Sequence, residues 1–185
     1  MMARDSAKRR EAAARDLETT GGRDARVEIV SYDSDWPRRF DAEAERLQRL
    51  VPDLVLHHVG STAVPGLAAK PVIDMMALVD DPDALVGPII EADYEYPRAY
   101  NAVLRGRRWF CRPSAAVRTH HLHLVAHRAE LDRHLHFRDV LRQRPDLAEE
   151  YAVLKRRLAQ ESSEDRENYT AGKSTFVERI QALTL

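Results

Sequence analysis

The chain has 185 residues, of which 44% are hydrophobic, enough to bury one sizeable core. Lys and Arg number 29 against 30 Asp and Glu, a net charge of -1, so the overall field does not draw the protein onto nucleic acid or an anionic membrane. The single cysteine, Cys111, excludes an internal disulfide, and no run reaches the ~18 apolar residues of a membrane span. Charges stand at the N-terminus where a secretory signal would carry an apolar run, so a cytoplasmic location is expected.

Residues 1–25 are rich in Arg, Ala, Asp and Glu and nearly devoid of large apolar side chains, which predicts a disordered polar tail before one folded domain over 26–185. Val27-Glu28-Ile29-Val30 alternates like a short strand. Ser34 or Asp35 then caps a helix with Pro37 in its first turn. Phe40, Ala44, Leu47 and Val51 face the core, Arg38, Glu45, Arg46 and Arg49 stay wet, and Pro52 ends it. Val55 to Val59 and Val72 to Val79 are short and β-branched or bulky, which predicts buried strands. A helix around 82–92 follows, then strands near Ala102 to Leu104, Arg108 to Arg112 and His121 to Ala126. Beyond Ala129 the periodicity turns helical. One helix carries Leu131, Leu135, Val140 and Leu141, a second after Pro145 carries Leu147, Tyr151, Leu154 and Leu158, and a third carries Tyr169, Phe176 and Ile180. These elements predict an α/β (α+β) domain, a mixed sheet flanked by helices with a helical C-terminal third.

The most informative segment runs from His57 to Asp74, HHVGSTAVPGLAAKPVID. A strand delivers Gly60 and Ser61 into a tight turn, and the next strand presents Asp74. Gly60 lets backbone come close to a ligand, the turn N–H groups suit phosphate oxygens, and Ser61 and Thr62 add hydroxyls. Asp74 is polar inside an apolar strand, a position that calls for a metal or a hydrogen-bonded partner.

A glycine-serine turn followed at this spacing by a strand-borne Asp resembles the signature of the nucleotidyltransferase fold, and the wording of the segment resembles the GrpB family, also called UPF0157. Further matches are Trp36-Pro37 with Phe40 and Glu43, Gly106 to Phe110, Arg118 to His123, and Tyr151, Leu154, Lys155, Tyr169, Lys173 and Phe176. The resemblance implies a nucleotidyltransferase-like mixed sheet. Active enzymes of that fold carry a second acid two residues after the first, where this chain has Met76, a poor ligand for Mg²⁺. The family also has members fused to dephospho-coenzyme A kinases.

Histidines are candidate replacements for the missing acids. His121 and His123 share one face of a strand, and with Asp74 and His58 they form a candidate ligand set for a divalent ion, Mg²⁺ or Mn²⁺ before Zn²⁺. The bland alternative is a hydrogen-bonded polar cluster. Arg107 and Arg108 bring guanidinium forks for an anion, beside Trp109 and Phe110, which either stack on a base or fill the core. Gly172-Lys173-Ser174-Thr175 lacks the earlier glycine of a P-loop, Glu167 standing in its place, so Lys173 reads instead as a hydrogen-bond donor to phosphate one turn after Tyr169 or as a surface lysine. Asp132, His134 and His136 read as a solvated helix face, and Cys111 as a buried thiol.

Together these residues predict a pocket for a nucleotide or other phosphorylated small molecule. Gly60, Ser61, Thr62, Lys70, Arg107, Arg108, His121 and Lys173 bind the substrate, while Ser61, Asp74 and His123 carry metal-dependent nucleotidyl or phosphoryl transfer. The alternative is a nonenzymatic accessory module with a degenerate site. A His/Asp metal hydrolase is a third reading.

Overall fold

The two short apolar runs flanking the glycine-serine turn become neighbouring strands. In the computed structural model, which describes residues 27–161 and 166–184, β1 (His57–Val59) pairs antiparallel with β2 (Ile73–Leu78). The predicted tail over 1–25 lies outside the described residues. β3 (Arg107–Pro113) and β4 (Arg118–Val125) form an antiparallel pair, and β4 adds to β2 in parallel, giving the strand order β1-β2-β4-β3. The mixed sheet flanked by helices is the expected α+β class.

Strand alternation divides the sheet into two unlike faces. Ile73, Met75, Ala77, Phe110, Leu122 and Leu124 turn to one side and bury with Trp36 and Leu47 of α1 (Trp36–Leu50) and Ile89 of α2 (Val86–Glu91). Asp74, Met76, His121 and His123 turn to the other. There Val59, Met76 and Val125 pack against Leu131 and Leu135 of α4 (Arg128–Gln143), which leaves the Asp74 end of the face polar. The helical third continues with α5 (Pro145–Glu161), α6 (Arg166–Ala171) and α7 (Ser174–Gln181). Tyr151, Phe176 and Ile180 from these helices bury against Val64, Leu67 and Ala68 of the turn-bearing loop.

Several sequence expectations are corrected. Val27 to Val30 contributes one bridge, Val30 to Ala69, rather than a strand. The strand expected over Ala102 to Leu104 is instead the end of α3 (Arg98–Ala102) and a following turn. Buried Asn101 explains the change: its side-chain amide donates to Trp109 O at 2.8 Å and its Oδ1 accepts from Trp109 N at 2.7 Å, so a helix covers the β3 edge that a strand would have paired. The third C-terminal helix is broken at Gly172 and Lys173 into α6 and α7.

Arg46, expected to stay wet, is half-buried. It donates to Glu43 at 2.6 Å and to Ala92 O at 2.8 Å. Glu43 also accepts from Tyr94 at 2.9 Å and Arg112 at 2.7 Å, tying α1 to β3. Burial works to raise the Glu43 carboxyl, but the bonds from Arg46 and Tyr94 hold it below the usual carboxylate range. Glu43→Ala leaves two guanidinium groups and a phenol without their acceptor, a loss of about 3–5 kcal/mol. A urea midpoint lowered accordingly at unchanged m-value is the expected result, and a loss under about 1 kcal/mol would show this cluster to behave as a surface pair.

Candidate functional site

Parallel pairing of β2 with β4 sets Asp74 opposite His121 and Met76 opposite His123. One ligand atom each from Asp74, His121 and His123 lies within 4.8 Å of the others, the kind of group able to hold a metal ion. His121 Nδ1 stands 2.9 Å from Asp74 Oδ1. A carboxylate only accepts, so Nδ1 carries the proton of this bond, while Nε2 is a buried atom with no hydrogen-bond partner among the described residues. Burial works to raise the Asp74 carboxyl, but the bond and charge of His121, with Lys173 and His134, hold it below the usual carboxylate value. Burial first, then Arg107, His121 and His134, pushes His123 well below the ordinary imidazole value. At neutral pH the cluster therefore pairs an ionised carboxylate with a neutral His123.

The turn closes over this carboxylate. Gly60 has φ +72°, and a Cβ there would stand 2.6 Å from Asp74 Oδ2, so glycine is required both by conformation and by the closeness of Asp74. Ser61 opens a short 3₁₀ turn, Ser61–Ala63. Two arginines of α4 secure it from behind: Arg138 donates to His58 O at 3.0 Å and Arg142 to Ala63 O at 2.8 Å.

His58 does not join the cluster. It lies on the opposite face, stacked on Phe40 at 4.8 Å, with Nε2 3.0 Å from Thr62 Oγ1. The single Thr62 proton goes to Val72 O at 3.3 Å, so Thr62 accepts from His58 and its hydroxyl faces inward. Burial, resisted by Asp74 and reinforced by Arg142 and Arg138, pushes His58 down to about 4. Arg108 also turns away, held by two bonds of 2.6 Å to Asp83. Arg107 does reach the cluster, with Nη2 2.5 Å from His123 Nδ1 and Nη1 donating to Glu130 at 2.7 Å. Lys70 is half-buried on the loop entering β2. Lys173 sits over Tyr169, 4.3 Å from the ring centroid, and its charge acts on Asp74. Trp109, Phe110 and Cys111 are buried, so the aromatics fill the core instead of offering a base a platform.

A family model described as GrpB protein matches residues 26–182. The chain belongs to the GrpB family. A UPF0157 protein of Pseudomonas aeruginosa is 43% identical over 165 residues, covering 85% of this chain and 67% of that relative. The UPF0157 protein YqkA of Bacillus subtilis is 38% identical over 161 residues, or 84% of this chain, which spans only 46% of that relative. The crystal structure of conserved protein GrpB from Enterococcus faecalis matches with a TM-score of 0.74 at 34% identity, over 83% of this chain and 94% of that one.

Two residues of this GrpB-family site escape sequence reasoning. His134 was expected in solvent with Asp132 and His136. Asp132 is exposed and pairs with Arg128, but His134 and His136 are half-buried. The signal was present: His134 follows Leu131 by three positions, on the stripe of α4 that packs on the sheet. Lys155 is the larger omission. Only 2% exposed, it donates to Ser61 Oγ at 3.0 Å and to Ala68 O, and sits 4.6 Å from the Tyr151 ring centroid. The signal was a lysine set between Tyr151 and Leu158 on the apolar stripe of α5.

Burial, then the charges of Lys173 and Arg156, pushes the Lys155 ammonium down to about 7. Between that value and 10.5 the unfolded chain holds a proton that the folded chain has released, so this group makes stability rise with pH across the window. Urea midpoints measured at pH 7, 8 and 9 should climb less steeply in Lys155→Met than in the wild type. Equal slopes would place the Lys155 proton elsewhere.

Proposed function

We propose that the protein binds a phosphorylated small molecule through one divalent ion held by Asp74, His121 and His123, beside a turn whose Ser61, Lys155 and Lys173 receive the phosphate oxygens. The observation that carries this reading is the convergence of the three ligand atoms within 4.8 Å next to the Gly60 turn. A donor set of one carboxylate and two imidazoles suits Mn²⁺ or Zn²⁺ better than Mg²⁺. The buried Nε2 of His121, unpartnered among the described residues, supports a ligand at this point. Bound there, the ion would supply Lewis-acid polarisation of a phosphoryl oxygen. Lys173 contributes positive charge on the turn side, Lys155 donates to Ser61 and orients it, and the Gly60–Ser61 backbone sets how near the anion comes to Asp74.

The reaction we assign is transfer of a phosphoryl or nucleotidyl group, in keeping with a nucleotidyltransferase-like sheet. Met76 favours a second reading, an accessory module that binds without turnover. It occupies the same-face position two residues after Asp74 and is fully buried, so among the described residues only one strand carboxylate is present.

Thermal stabilisation by nucleotides, pyrophosphate and sugar phosphates, with and without Mn²⁺, tests the site. A compound at 100 times its dissociation constant adds about 2.7 kcal/mol. Mn²⁺-dependent stabilisation that disappears in Asp74→Asn is the expected result, and product formation then separates transferase from binding module. Stabilisation equal in Asp74→Asn would move the site elsewhere.

A further inference from the structure

Arg107 stands where the polar end of the sheet meets α4. Its Nη2 is 2.5 Å from His123 Nδ1, its Nη1 donates to Glu130 at 2.7 Å, and its Nε is buried with no hydrogen-bond partner among the described residues. A guanidinium has N–H groups only and keeps its protons throughout the pH range of folded proteins. The contact is therefore a donation into the lone pair of His123 Nδ1, which leaves the ring proton on Nε2. Neither nitrogen of His123 then offers a lone pair to an ion.

We propose that Arg107 is the resident cation of the Asp74, His121 and His123 cluster: it occupies His123 in the metal-free protein, and a divalent ion binds by displacing it. This inference rests on reading the cluster as a metal site. Glu130 gives the displaced guanidinium a second anchor on α4, so displacement exchanges one contact without casting the arginine into solvent. The Nε leaves one Arg107 donor unsatisfied among the described residues in this pose. Exchange of one cation for another also keeps positive charge beside His123 in both states. Arg107 is thus a positioning residue that sets metal affinity, and His123 becomes a ligand only when Arg107 leaves it.

The test is calorimetric titration with Mn²⁺ alone of the full-length wild type, Arg107→Gln, Arg108→Gln and Asp74→Asn, each first confirmed to be folded by its melting transition. Arg107→Gln should bind Mn²⁺ about tenfold more tightly or better, the scale of changes beside a metal ligand. Arg108→Gln removes the same charge on the opposite face and should match the wild type. Equal or weaker binding by Arg107→Gln, while the wild type binds through Asp74, overturns the displacement and leaves the metal site standing. Binding by none of the four removes the metal site and the displacement together.

A second readout is independent of metal. Nitrogen chemical shifts of His123 in the metal-free wild type should report the Nε2–H tautomer, moving toward the Nδ1–H form in Arg107→Gln. An Nδ1–H tautomer in the wild type would overturn the Arg107 contact whatever the titrations show.

Discussion

Asp74 lies on β2 with a strand on either side, and a carboxylate in that position is tolerable only if its neighbours compensate its lost hydration. The parallel register of β2 and β4 supplies the first compensation by setting His121 directly opposite, within hydrogen-bond distance. The second is Gly60, whose missing side chain leaves room for Asp74 Oδ2 under the turn. The turn in turn is fixed by Arg138 and Arg142 of α4 and by Lys155 of α5. Sheet, turn and helical third are thus organised around one carboxylate.

The two faces of the sheet handle charge differently. On the α1 side, Glu43 is enclosed by Arg46, Tyr94 and Arg112, every one a donor to it, and that cluster is closed. On the α4 side, the polar cluster ends in a His121 nitrogen that bonds to nothing among the described residues and an arginine lodged on a second histidine. A closed buried network serves folding, whereas an incomplete one held rigidly is the form a ligand site takes. The Lys155 ammonium, depressed by burial beside Ser61, belongs to this incomplete side.

The sheet and its flanking helices were legible because hydrophobic periodicity and the Gly60–Ser61 turn are local signals, and the family resemblance followed from contiguous residues. Asp74, His121 and His123 were legible too, because polar residues at alternate positions of buried strands declare a shared face. What the sequence hid depends on which way a strand or helix turns. His58 and Arg108 carry suitable chemistry, but alternation places both on the far face, bonded to Thr62 and Asp83. His134 and Lys155 sit on helices whose packing stripe was wider than the apolar residues alone suggested. The Asn101 side chain, standing in for a strand beside Trp109, left no periodic trace at all.

The most direct measurement is the anomalous scattering of a crystal of the protein soaked in Mn²⁺. One dominant peak is expected within bonding distance of Asp74, His121 and His123, with the Arg107 guanidinium moved off His123. A crystal with Mn²⁺ bound elsewhere, or with Asp74 still hydrogen-bonded to His121 and no ion beside it at saturating Mn²⁺, would contradict it.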